Sequence, residues 1–344
     1  MQSNTIRSRT ASLTFLVGIS TLLAMSDGAA AGELTLAGDV TNPGSYTISE
    51  LQSLPSTTVG AYTGVSLWTF LGDGSDVIVG SGKNAILRNY VIATGSNGSQ
   101  SLVSLGEINP NFGGNTSQPD LVAYERNGQL LSSPQLIVPQ DTSGARNVTN
   151  LASLNVLSVP PQAPSSSVGY SSQFTVSVPG NVPVSVDLNT LKSFPSVIET
   201  VSYQAGGMPV TQTFTGVPVW NLLSQLQLGA TQNDILTKYL TATGSDGYKV
   251  FFSLAEFDPN LGAPAYPMEA IVAYADSNGP LIDSGFARLV IPGDNFGGRF
   301  VSNLVNLEVV NAVPEPTSAL LLISGLAAIA LLTWSQNRSR ARAA

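Results

Sequence analysis

The sequence predicts an α+β protein with more strand than helix, built as two tandem copies of one domain. Two observations carry this. First, five blocks recur in the same order along the 344 residues. Phe214-Thr-Gly-Val-Pro-Val-Trp220 repeats Tyr62-Thr-Gly-Val-Ser-Leu-Trp68, and Tyr239-Leu-Thr-Ala-Thr-Gly-Ser-Asp-Gly247 repeats Tyr90-Val-Ile-Ala-Thr-Gly-Ser-Asn-Gly98. Ser253-Leu-Ala-Glu-Phe-Asp-Pro-Asn260 repeats Ser104-Leu-Gly-Glu-Ile-Asn-Pro-Asn111, Ile271–Tyr274 repeats Leu121–Tyr124, and Gly298–Leu304 repeats Ala145–Leu151. The offsets hold between 149 and 153, far beyond the roughly 20–50 residues of a solenoid unit. Second, each copy strings short apolar runs between Gly, Asn and Pro turns, the pattern of hairpins.

The elements follow in order. A strand opens each copy at Leu34–Leu36 or Phe174–Val178, followed by Asn42-Pro-Gly44 or Pro179-Gly180 turns. A helix follows, with Ile48, Leu51 and Leu54, or Leu188, Leu191 and Phe194, at helical spacing. A second helix starts at Trp68 or Trp220 after the Thr-Gly-Val turn. Tyr90–Ala93 with Leu102-Val103, and Tyr239–Ala242 with Val250–Phe252, read as hairpins closed by Gly-Ser-Asx-Gly. Leu121–Tyr124 and Ile271–Tyr274 turn at Asn127-Gly128 and Asn278-Gly279 to meet Leu136–Val138 and Leu289–Ile291. The Pro/Ser-rich run from Val159 to Val168 reads as an extended linker. The expected organisation is 1–31 leader, 32–159 first copy, 160–170 linker, 171–312 second copy and 313–344 terminal signal.

Composition removes several chemistries. The chain has no cysteine and no histidine, so it lacks disulfides, thiolate ligands and the usual neutral-pH base. Residues 32–312 hold nine basic against 20 acidic side chains, a net charge of −11. An acidic surface argues against nucleic acid as a partner.

The two ends read as addresses. Arg7 and Arg9, the apolar run Ala11–Met25 and Ala29-Ala-Ala31 make a secretory signal peptide; the run is short for a membrane span of about 20 residues. At the other end, Pro314-Glu315-Pro316 precedes an apolar stretch from Ala319 to Trp334, then Arg338, Arg340 and Arg342. This order places a short helix in the inner membrane with arginines on the cytoplasmic side. It resembles the PEP-CTERM sorting signal of Gram-negative bacteria. That resemblance implies processing by signal peptidase and exosortase, a transient inner-membrane intermediate, and delivery to the cell surface or medium. A plain C-terminal anchor is the alternative.

The repeated blocks resemble the oxidoreductase molybdopterin-binding domain of the sulfite-oxidase family. The matching elements are the Asn-Pro-Gly opening, Thr-Gly-Val-x-Leu/Val-Trp, Ala-Thr-Gly-Ser and Leu-Val-Ala-Tyr. With them goes Arg288-Leu-Val-Ile-Pro-Gly-Asp-Asn-Phe-Gly-Gly-Arg-Phe-Val301. The resemblance implies a sulfite-oxidase-like fold in each copy, with the last segment near a pterin cofactor. It also implies a metal-binding cysteine thiolate, which this chain lacks, and a basic residue where Thr149 and Ser302 stand. Copy one has only a short bridge, Pro55–Tyr62, where the cysteine segment belongs; copy two has a longer one, around Val201–Gln204.

Candidate site residues are Arg146, Arg288, Asp294, Gly298 and Arg299. A guanidinium in a glycine-containing loop suits an anion, or else ties its loop to Asp141 or Asp294. Copy two keeps Arg288, Gly293 and Gly298, so a surviving site is expected there. Glu107 and Glu256 beside Asx-Pro read as a solvated face, with acid–base use as the alternative. Trp68 and Trp220 read as core. No catalytic residue, resident metal or cofactor is expected; molybdopterin remains the alternative cofactor. The sequence thus points to a non-catalytic, exported protein with a binding or structural role, its surface polysaccharide or protein partner unassigned. An anionic-cofactor binder or redox partner is the alternative, and a hydrolase using the two glutamates a minor one.

Overall fold

The computed structural model describes residues 32–165, 169–225, 228, 232–262, 268–281 and 285–312. The expected signal peptide and sorting helix, including Pro314, Glu315, Pro316, Arg338, Arg340 and Arg342, lie outside them. Among the described residues no helix is long and apolar enough to cross a membrane.

The chain is strand-rich, and its helices are short. The expected balance of α and β shifts accordingly toward β, because the helical patterns amount to little more than one turn each. In the first copy these are α1 (Ile48–Gln52), α2 (Leu67–Phe70) and α3 (Leu105–Ile108). They act as corners between strands. Its strands are β1 (Leu34–Gly38), β2 (Gly44–Tyr46), β3 (Thr57–Val59), β4 (Tyr62–Ser66), β5 (Asn89–Gly95), β6 (Gln100–Ser104), β7 (Leu121–Arg126), β8 (Gln129–Ile137) and β9 (Leu151–Ser158). Their order is β2-β1-β9-β5-β6 in one sheet and β3-β4-β7-β8 in the other.

The second copy repeats the plan. It holds β10 (Gln173–Ser177), β11 (Val184–Asp187), α4 (Leu188–Lys192), β12 (Val197–Ala205), β13 (Met208–Pro218), α5 (Val219–Ser224), α6 (Gln232–Leu236), β14 (Lys238–Gly244) and β15 (Lys249–Ser253). It ends with β16 (Ile271–Asp276), β17 (Gly279–Pro280), β18 (Arg288–Val290) and β19 (Leu304–Asn311). The sheets run β11-β10-β19-β14-β15 and β12-β13-β16-β17, with β18 also on β16. The longer bridge of copy two is the β12–β13 hairpin, whose Tyr203 packs on Phe300 at 4.6 Å between ring centroids.

The recurrent Thr-Gly-Val has a backbone cause. Both ladders shift register there, between Thr63 and Gly64 and between Thr215 and Gly216. A Cβ at Gly64 would stand 2.4 Å from the carbonyl oxygen of Val122, and one at Gly216 2.5 Å from that of Val272. Only glycine lets the neighbouring strand come so near at the bulge.

The hairpins β5–β6 and β14–β15 decide how the copies meet. The edge strand β12 alternates between buried and exposed residues, as a strand with one covered face does. In β5 and β15 nearly every residue is buried. One face covers its own core and the other covers the partner hairpin. Tyr90 stacks on Phe251 at 4.3 Å and 2° between planes, and Tyr239 joins them. The contact is reciprocal. Thr142 N–H donates to the Leu261 carbonyl (2.8 Å), and Asn295 N–H to the Phe112 carbonyl (3.1 Å). In the repeat numbering these are one bond made twice, as a two-fold interface requires. Leu87 and Phe112 of copy one also belong to the core of copy two.

Two consequences are measurable. Cutting the chain at a protease site placed between Pro164 and Gly169 should leave two fragments that co-elute as one particle; separate elution contradicts the interface. Phe251→Ala should lower stability by about 3–5 kcal/mol, as loss of a buried aromatic does, in a single transition that includes both copies when followed by calorimetry.

Candidate functional site

Each copy builds the same buried cluster from local rules. Ser104 ends β6 and caps α3, and its Oγ accepts from Glu107 N–H while Glu107 Oε1 accepts from Ser104 N–H at 2.6 Å. This is a capping box, which fixes the glutamate at the third helical position. In copy two the Glu256 carboxylate accepts from Ser253 N–H at 2.9 Å. The capping bonds turn each glutamate inward, toward the arginine of its own copy.

Arg146 lies in a single tight turn, Gly144–Arg146, after β8. Its Nε and Nη2 donate to Asp141 at 2.8 and 2.6 Å, and its Nη1 to Glu107 at 2.8 Å. Arg299 repeats the arrangement in Gly297–Arg299. Its Nε donates to Asp294 at 2.9 Å, and its Nη1 and Nη2 bind Glu256 and Asp294. Both arginine side chains are about 95% buried. Isolated buried cations are costly, so each guanidinium requires its two carboxylates.

The clusters cross between copies. Arg299 packs on glycines of copy one: a Cβ at Gly113 would stand 2.3 Å from its Nη2, and one at Gly106 2.7 Å from its Cδ. Arg146 meets Gly262 of copy two in the same way, at 2.7 Å. Ser104 Oγ donates to Glu256 at 2.7 Å, so one serine touches both glutamates. Ser253 Oγ makes no matching bond.

Between the copies lies a cavity of about 570 Å³. Its walls carry five carboxylates, Glu107, Asp120, Asp141, Glu256 and Asp294, against the guanidiniums of Arg146 and Arg299. Phe252, Phe257, Met268 and Ile291 supply apolar wall. Asp120 differs from the other acids. It is 9% exposed, its Oδ2 is buried without a hydrogen-bond partner among the described residues, and no guanidinium bonds it. Burial pushes its carboxyl up to about 7; Arg146 opposes this, while Asp141 and Glu256 add to it. Burial also raises Glu107, with Glu256 and Asp120 adding and Arg146 opposing, and it raises Asp294 against the pull of Arg299. Burial alone would lower both arginines, but their carboxylates overturn that and hold each well above the ordinary value.

The candidate residues from sequence are distributed unevenly. Arg146, Asp294 and Arg299 line the cavity, with each arginine tied to its own loop aspartate. Arg288 does not line it; its guanidinium lies 5.5 Å from the rings of Phe214 and Phe300. At Gly298 the close approach is that of Phe112 from copy one, 2.4 Å from an added Cβ. Glu107 and Glu256 are not a solvated face: their side chains are 11% and 12% exposed. The Asx-Pro pairs do end the turns, but the capping serines aim the glutamates inward. Trp220 packs against the core of copy two and Trp68 against that of copy one, both partly buried. Asp120 was not singled out from sequence. Its one signal is the mismatch with Ala270, its repeat equivalent; both carbonyls accept at the same helix start, from Leu67 and Val219 N–H.

No family model matches this chain, and no curated protein does. Among solved structures, the sulfane dehydrogenase SoxCD from Paracoccus pantotrophus is weakly similar. The TM-score is 0.29 and the identity 13%, over 83% of this chain and 78% of that one.

The site sets two stability predictions. Asp120 has a folded value above its unfolded one, so the folded state holds the extra proton between about pH 4 and 7. Stability from this group is therefore full below about pH 4, falls as pH rises, and levels off above about 7. Asp120→Asn should raise stability at about pH 8 by up to about 4 kcal/mol, read as a higher unfolding temperature, and change it little near pH 4. An equal change at both ends contradicts the assignment. Gly113→Ala should cost about 1–3 kcal/mol, because Arg299 is pinned and cannot yield to the new methyl; denaturant unfolding reads this directly.

Proposed function

We propose that this chain is an exported, non-catalytic protein with a binding or structural role at the cell surface, made of two degenerate molybdopterin-domain-like copies fused into one unit. Exosortase recognises its terminal signal after passage through the inner membrane, and the protein then reaches the surface or the medium. Its organisation follows as leader 1–31, copies 32–159 and 171–312 joined by 160–170, and sorting signal 313–344.

One observation carries the functional part. Every nitrogen of Arg146 and Arg299 already donates to a carboxylate of its own copy. A phosphate-bearing pterin needs cations that are free to bind it, and it would meet five carboxylates in the cavity instead. A molybdenum centre of this family also needs a thiolate, and the chain has no cysteine. The residues present therefore do not fit that group.

A hydrolase is the second reading, favoured by one fact: Glu107 and Glu256 approach closely enough to share Ser104. Both are held by arginines, which suits a structural role better than proton transfer. Purified protein should contain no stoichiometric molybdenum by elemental analysis and no pterin by fluorescence after extraction; finding either ends the first reading. Mass spectrometry of the protein from an exosortase-bearing host should find the chain cut near Pro314–Pro316, and an intact C-terminus there contradicts the sorting assignment.

A further inference from the structure

We propose that the cavity between the two copies is a binding site for a small organic cation, whose ammonium group is received by Asp120. The proposal rests on reading the protein as a binder, and it adds the class of ligand and the residue that selects it.

Four of the five cavity carboxylates are held by the two guanidiniums. Asp120 is the one left over. Its Oδ2 is buried and has no partner among the described residues. A buried acceptor without a donor is unfavourable, by an amount comparable to a lost hydrogen bond. A cation set against the carboxylate offsets that penalty by neutralising its charge. An anion cannot do so, since the positive charge on the walls is already matched. An ammonium can, because it has three donors and no acceptor.

The surroundings fit a cation that has an apolar body. Asn115 and Gln140 line the wall beside Asp120, their amide oxygens already accepting from Ser117, Gln118 and Asn115 itself, and Phe252, Phe257, Met268 and Ile291 offer apolar surface. The groups that set the local field are Arg146, Asp141, Glu256 and Glu107, with Asp294 and Arg299 also lining the cavity. Their balance leaves Asp120 prone to take up a proton when nothing else neutralises it. A bound ammonium replaces that proton. Cation binding and protonation therefore compete for one carboxylate.

The repeat supplies an internal control. Ala270 occupies the equivalent position in copy two. The feature is thus no part of the shared scaffold, which both copies build from the same Ser, Glu, Asp and Arg.

The test is calorimetric titration of the full chain with n-butylammonium chloride, alongside sodium butyrate and calcium chloride. Binding should be 1:1 at about pH 8 and weaken by about tenfold for each pH unit below neutrality, as competition with one proton requires. Asp120→Asn should weaken it at least about tenfold at pH 8, while its thermal unfolding shows the fold intact. The pH series on the unsubstituted chain stands independently of that variant. The proposal is overturned if butylammonium does not bind at about 10 mM, a Kd far weaker than a built ion pair would give. It is equally overturned if the variant binds as tightly, if affinity is flat with pH, or if calcium or butyrate binds in its place. Absence of ammonium binding in a protein free of molybdenum and pterin ends this proposal alone. Molybdenum or pterin in the purified protein ends the functional reading, whatever the amines do.

Discussion

Two buried arginines govern this molecule. A guanidinium cannot leave water alone, since the desolvation cost is several kcal/mol per ion even after relaxation. Arg146 and Arg299 each have two carboxylates, and each carboxylate is fixed by its own local device. The aspartate sits five residues before the arginine in the same loop, so the loop closes on itself. The glutamate is set by a capping serine at a strand end. Neither half of the cluster is adjustable. The charges therefore fix where the β8–β9 loop, its counterpart in copy two, and the two hairpin ends must lie.

The same arginines fix how the copies join. Arg299 fills space left by Gly106 and Gly113, and Arg146 fills space left by Gly262. A side chain at those glycines would collide with a group that has no freedom to move. Between the hairpins the Tyr90, Phe251 and Tyr239 rings pack together. Apolar contact supplies most of the attraction in such an interface, and the charges set its register. The pairing is the intramolecular form of a two-fold dimer, with the Val159–Gly169 segment joining the two partners.

Much of this plan was legible in the sequence. Five recurring blocks carry the repeat, and the turn expected at Asn127-Gly128 is there, while in copy two the turn falls one residue earlier, at Ser277-Asn278, with Gly279 already in β17. The Thr-Gly-Val glycine was visible as a motif, though its reason, the close approach of Val122 and Val272, requires the neighbouring strand. Asx-Pro alone makes the glutamates look like a solvated face, whereas Ser-x-x-Glu is the signal that turns them inward. Ser104-Leu-Gly-Glu107 and Ser253-Leu-Ala-Glu256 each carry the capping signature, which turns the carboxylate back toward its own backbone. The docking of the copies was missed for a related reason. Val250-Phe-Phe252 and Tyr90-Val-Ile-Ala93 are continuous apolar runs, the mark of a strand covered on both faces. A reading that gives each copy one core has no use for the second face. Its place in the block makes Arg288 look like a partner of Arg299, but only the fold reveals that it turns toward Phe214 and Phe300.

The two-fold is imperfect, and its departures cluster around one cavity. Gly106 faces Arg299, where copy two has Ala255; Ser104 reaches across to Glu256, and Ser253 does not reach back. Asp120 has no acidic equivalent at Ala270. A pair of identical subunits would have to carry any such change twice, once on each side of the axis. Fusion in one chain removes that constraint, so one wall can gain a carboxylate while the other keeps its apolar surface. The scaffold needs the symmetric part, the arginines with their four carboxylates. What is left after that requirement is met is asymmetric, lies at the junction, and carries negative charge, and there the chain has room for selectivity that neither copy has alone.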